Sequence, residues 1–133
     1  MNKVVIGLLL FTIVGCAPMV RLNTPSGRPE ITINHVDRKT VTDRIVEIGV
    51  EAGYELKATT EYTLVFGKPR SDFTSSMMFG SRYDINTEER ITFTIIARDS
   101  SVKVTATCAM IGNPGSAFER KTDITTGKTA ANL

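Results

Sequence analysis

Glu89 to Gly112 reads ERITFTIIARDSSVKVTATCAMIG, and its side chains alternate on both sides of a single turn. Ile91, Phe93, Ile95 and Ala97 recur at every second residue, Asp99-Ser100-Ser101 supplies the turn, and Val102, Val104, Ala106, Cys108 and Met110 resume the spacing. Successive strand side chains point to opposite faces, so the pattern predicts an antiparallel hairpin with one oily face. Thr92, Thr94, Lys103, Thr105 and Thr107 fall on the other face, which is polar enough to meet water. A sheet that is oily on one side needs a second layer to cover it.

That layer lies upstream. Glu30 to Asn34, EITIN, alternates as a short strand, and His35-Val36-Asp37 leads out of it. Thr40-Val41-Thr42-Asp43 has the form of a capping box, with a hydroxyl at the N-cap and an acid three residues on. From there Val41, Ile45, Ile48 and Ala52 recur at helical spacing, broadened by Val46, while Arg44, Glu47 and Glu51 take the other side. Gly53 provides the stop, so the spacing predicts one amphipathic helix from Val41 to Ala52. Tyr54 to Gly67, YELKATTEYTLVFG, is rich in β-branched and aromatic residues, with Tyr62, Leu64 and Phe66 on one face and a break near Ala58 to Thr60. The predicted order is strand, helix, then three strands: an α+β fold, with a small, mostly antiparallel sheet carrying one main helix on one face. In the tail from Ser116 to Leu133, Ser116-Ala117-Phe118-Glu119 has the form of a helix start, against which Gly127 and the run of threonines argue.

The first residues are of another kind. Lys3 is followed by an apolar run from Val4 to Val14 and a small-residue end at Gly15-Cys16, the layout of a secretory signal. The run is about half the roughly 20 residues that a lasting membrane span needs. Ile13-Val14-Gly15-Cys16 resembles the lipobox of bacterial lipoproteins. The resemblance implies that Cys16 is diacylated on sulfur, that lipoprotein signal peptidase cuts before it, and that the new amino group is acylated. Three acyl chains, at about 0.8 kcal/mol per buried methylene, hold a protein permanently. By the sorting rule of that family, Ala17 in place of Asp after the cysteine implies the periplasmic face of the outer membrane. The chain thus divides into a signal peptide (1–15), a lipidated tether rich in proline (16–29) and a single periplasmic domain (30–133).

Charge and chemistry exclude several classes. Of 16 basic residues Lys3 leaves with the signal, so 15 face 14 acidic ones, and no basic patch argues for nucleic acid. Cys108 is the one cysteine left, so the domain has no internal disulfide. A nucleophile needs a base in reach, and the inventory offers only His35 to Cys108, with Asp37 to orient it. Cys108 falls on the inward parity of its strand, which favours packing over catalysis, and His35 reads as a strand-end residue bonded to backbone. Two ligands do not make a zinc site, so no metal and no cofactor are expected. Thr125 to Thr129, TTGKT, lacks the glycine of a phosphate loop, since Thr122 stands five residues before Gly127. Glu88 and Glu89 are adjacent, point to opposite faces and read as a solvated strand start.

One segment resists this treatment. Gly67 to Thr87, GKPRSDFTSSMMFGSRYDINT, is far longer than a hairpin connection and is not simply polar. Phe73, Met77, Met78, Phe79, Arg82 and Tyr83 are residue types enriched where proteins meet, which makes them candidate partner-binding residues. A short helix folding over one end of the sheet would use the same residues. Two functions follow, the first preferred and the second its alternative. One is an accessory subunit of an envelope complex for assembly, secretion, conjugation or exclusion, with another envelope protein as partner. The other is a periplasmic carrier of a small ligand such as a lipid, peptide or glycan.

Overall fold

The structure, a computed structural model, describes residues 22–70 and 86–125. The described elements are β1 (Glu30–Asn34), α1 (Arg38–Glu51), β2 (Glu55–Thr59), β3 (Thr63–Arg70), β4 (Thr87–Arg98), β5 (Ser101–Gly112) and β6 (Arg120–Asp123). They form one antiparallel sheet in the order β1-β5-β4-β3-β2, with β6 also on β5, and one helix. This is an α+β fold dominated by its strands.

The β4–β5 hairpin is the centre of the sheet. Ile91 pairs with Cys108, Phe93 with Ala106, Ile95 with Val104 and Ala97 with Val102, so the residues expected on one face are opposite each other on it. The turn is one residue shorter than expected, because Ser101 already pairs with Arg98, and Asp99 turns the corner at φ 45°. Asp tolerates that left-handed conformation better than most residues. β1 lies on the far side of β5 and β2 is the opposite edge, so α1 carries the chain across one face from edge to edge.

Four expectations need correction. The helix begins at Arg38, not Val41, because Asp37 is the N-cap: its carboxylate accepts from both the amide and the hydroxyl of Thr40. The helix ends at Glu51, one residue before the expected Ala52, which is its C-cap, and Gly53 follows at φ 82° as the expected stop. The strand expected from Tyr54 to Gly67 is two strands, β2 and β3, paired as a hairpin around Thr60, whose hydroxyl accepts from the amides of Tyr62 and Thr63. β3 runs on to Arg70, so Gly67 to Arg70 belongs to the sheet. Pro69 is tolerated there because β2 stops pairing at Gly67, leaving that side of β3 as an edge. Finally, Ser116 to Glu119 starts no helix. Asn113 (φ 53°) and Gly115 (φ 78°) reverse the chain, and Arg120–Asp123 returns as β6 along β5. Before β1, Ala106 N–H donates to Pro29 O at 2.9 Å, which ties the end of the expected tether to the sheet.

The core lies between α1 and the sheet. Val41, Leu64, Phe66, Ile95, Val102 and Val104 are buried, with Ile33, Val36, Ile45, Val46, Tyr54 and Phe93 packed against them. Phe66 meets Phe93 edge to face, ring centroids 5.9 Å apart.

Candidate functional site

Thr40, Arg44, Ile48 and Ala52 stand four residues apart, and so form one row along a flank of α1. Between this row and the sheet runs an apolar trough with two lobes. The first, about 410 Å³, is lined by Ile31 and Ile33 of β1, Val104 of β5 and the first half of the helix. The second, about 310 Å³, is lined by Phe66, Ile91, Tyr54 and the last turns of the helix, and the lobes share Ile45, Ile48 and Phe93. Ile48 faces it half out of the core, at 51% exposure, and Ile31 at 60%. Among the described residues one helix of 14 residues is all that lies over the oily face of this sheet, and the trough is the part it leaves uncovered. Gly49 brings the helix down onto the Phe66 ring at the base of the second lobe.

The trough becomes polar beyond Tyr54. The Tyr54 hydroxyl donates to Glu89 Oε1 at 2.8 Å, Arg70 Nε donates to Glu89 Oε2 at 2.8 Å, and the Cys108 thiol lies 3.8 Å from Glu89 Oε1. Burial pushes the Tyr54 hydroxyl up to about 12, helped by the Glu89 carboxylate. Burial likewise pushes the Cys108 thiol up to about 11, with the Glu89 charge adding to it. Burial alone would raise Glu89, but hydrogen bonds from Tyr54 and Arg70 hold it below the ordinary carboxylate value. Lys68, half-buried, stacks its ammonium 5.3 Å from the Tyr54 ring centroid and donates to Ala52 O at 2.9 Å, capping the end of α1.

The opposite face holds a second cluster. Glu88, only 5% exposed, pairs with Arg90 at 3.0 Å and Lys57 at 3.6 Å. Arg90 reaches on to Glu119 at 2.9 Å, whose carboxylate accepts the Gly115 amide. The two glutamates do point to opposite faces, but neither is solvated. Glu88 is held by Arg90 of its own strand and by Lys57 of β2, and Glu89 by Arg70 of the neighbouring β3.

The lipobox, the signal, and the candidates Phe73, Met77, Met78, Phe79, Arg82 and Tyr83 lie outside the described residues, as does most of TTGKT. The structure separates Cys108 from His35. His35, in a left-handed conformation (φ 57°), donates its amide to Ser100 O at one end of β5. Cys108 is eight residues further along, about 26 Å at roughly 3.3 Å per residue. No group of three metal-binding side chains assembles among the described residues, and no helix there is long and apolar enough to cross a membrane.

Sequence reasoning missed Lys68, Tyr54 and Glu89 as a site. The signal was parity: Glu89 continues the Ile91, Phe93, Ile95 row, and Lys68 continues Leu64 and Phe66, so each puts a charge at the end of an oily row. The chain matches no protein-family model, no curated protein and no solved structure.

Proposed function

We propose that this chain is an envelope lipoprotein, anchored through Cys16 at the periplasmic face of the outer membrane, whose domain carries a small apolar ligand in the trough under α1. The observation that carries the reading is the trough itself: two lobes of about 310 and 410 Å³ in which Ile48 stands half-exposed among Ile45, Phe93 and Ile31. Small-molecule sites are concave, mostly apolar and of this size.

The accessory-subunit reading rests on a different observation. The two sheet edges are guarded unequally. β2 carries Lys57 and an irregular register between Leu56 and Ala58, both devices against strand pairing. β1 holds no charge between Glu30 and Asn34, and its Ile31 and Ile33 run straight into the trough. A strand of an envelope partner laid on β1 would continue the sheet.

One experiment separates the two. A photo-crosslinker at Ile48 of the full-length chain in cells gives a lipid-sized mass addition for a carrier and a discrete protein adduct for a subunit. Neither adduct, with Ile48 shielded from water, would sink both readings. The anchor is tested alongside, because Cys16→Ala should abolish palmitate incorporation and leave the signal peptide uncleaved.

A further inference from the structure

Among the described residues the trough has one charged end. Glu89 is held by Arg70 through its guanidinium and by Tyr54. Lys68, on the same face, forms no ion pair among the described residues; its partners are the Ala52 carbonyl and the Tyr54 ring. Its cross-strand neighbour in the register, Glu89, is engaged by Arg70 and Tyr54, so among the described residues the Lys68 ammonium has no carboxylate within ion-pair distance. The other cation on the trough, Arg44, is already paired with Glu47. Among the described residues an ammonium without an ion-pair partner therefore stands at the Tyr54 end, where the apolar lining stops.

Building on the carrier reading, we infer that the ligand is a single-chain amphiphile with an anionic head, its hydrocarbon chain in the trough and its head at Lys68. The aliphatic and aromatic lining matches an acyl chain, which asks for area and not direction. The Lys68 ammonium keeps donors to spare beyond Ala52, and a carboxylate or phosphate head takes them as charge-assisted hydrogen bonds. Lys68 then links the end of α1 to the head, which orients the ligand with its tail toward Ile31.

The test adds two diazirine-bearing probes, palmitate and lysophosphatidate, to membranes containing the full-length chain, and maps the adducts by peptide mass spectrometry. Adducts on α1 or β4 peptides are expected, falling about tenfold for Lys68→Met, as for loss of a charged hydrogen bond. Lys68→Arg and Lys57→Met should hold the wild-type level. A preference between the probes identifies the head as carboxylate or phosphate. In case Lys68→Met does not fold, the wild-type chain with the methyl ester of the palmitate probe gives the same contrast, about tenfold below the acid. Equal labelling by acid and ester, or by wild type and a folded Lys68→Met, would overturn the anionic head while leaving the carrier reading in place. No adduct in the trough, with a protein adduct from Ile48, would overturn both.

Discussion

The Tyr54 hydroxyl donates to Glu89 Oε1 at 2.8 Å, joining the residue that leaves α1 to the start of β4 across 35 positions of chain. Tyr54→Phe keeps the ring against Lys68 and removes only that donor. The half-buried carboxylate then depends on Arg70, and the variant should lose about 1–3 kcal/mol of stability in urea denaturation. A loss below a few tenths would show that water replaces the hydroxyl freely.

Acid should act through the same residue. Glu89 is held below its ordinary value of 4.5, so its contribution to stability is complete above that value and is lost as pH falls through the depressed folded value. Urea midpoints measured between pH 7 and pH 3 should therefore decline at the acid end, and Glu89→Gln should decline less steeply than wild type.

Cys108 gives the opposite sign. Its thiol is raised from 9.0 to about 11, so the folded protein keeps it protonated, and stability drains away as pH rises from 9 toward 11. The thiolate is the reactive form, and a shift of this size makes it about a hundredfold scarcer than in a free cysteine at pH 8. Labelling by a thiol reagent in native buffer should be slower than in urea by about that factor. Equal rates would mean an exposed, ionised sulfur and would reopen a chemical role for it.

Gly49 is the next position to test. An alanine there usually favours a helix by up to about 1 kcal/mol. Here its Cβ would stand 2.6 Å from a Phe66 ring carbon, so the ring or the helix must shift. Gly49→Ala should destabilise by a net 1–2 kcal/mol, roughly, the overpacking penalty outweighing propensity. It should also lift α1 and widen the trough, which amphiphile labelling would register.

Glu88 tests the other face. It holds Arg90 at 3.0 Å and Lys57 at 3.6 Å from a nearly sealed position, and a Cβ at Gly67 would meet its carboxyl carbon at 2.8 Å. Glu88→Ala leaves Arg90 half-paired beside Glu119 and should cost about 2–3 kcal/mol, at the lower end for broken buried pairs because Arg90 is partly solvated. Glu88→Gln, which keeps the shape and one acceptor, should cost less than half of that in the same denaturation.

Local pattern alone determined the centre of this protein. The period of two from Ile91 to Ala97 and from Val102 to Met110 made the hairpin and its oily face legible, because a register slip would turn every one of those side chains to water. The same reasoning read Val41, Ile45 and Val46 as the helix side that packs, and Gly53 as its stop. Tertiary structure decided what no local window contains. Asp37 displaced Thr40 as the cap, since two adjacent starts were chemically acceptable and only the path out of β1 chose between them. The return of Arg120–Asp123 onto β5 depended on the reversal at Asn113 and Gly115 and on Glu119 reaching Arg90. Most of all, Lys57 of β2 reaches Glu88, and Arg70 of β3 and Tyr54 reach Glu89, from up to 35 residues away, so charges that look solvated in sequence are enclosed in the fold. Whether an oily face is closed or left as a trough is likewise a matter of how far one 14-residue helix reaches across a sheet, a coverage that only packing decides.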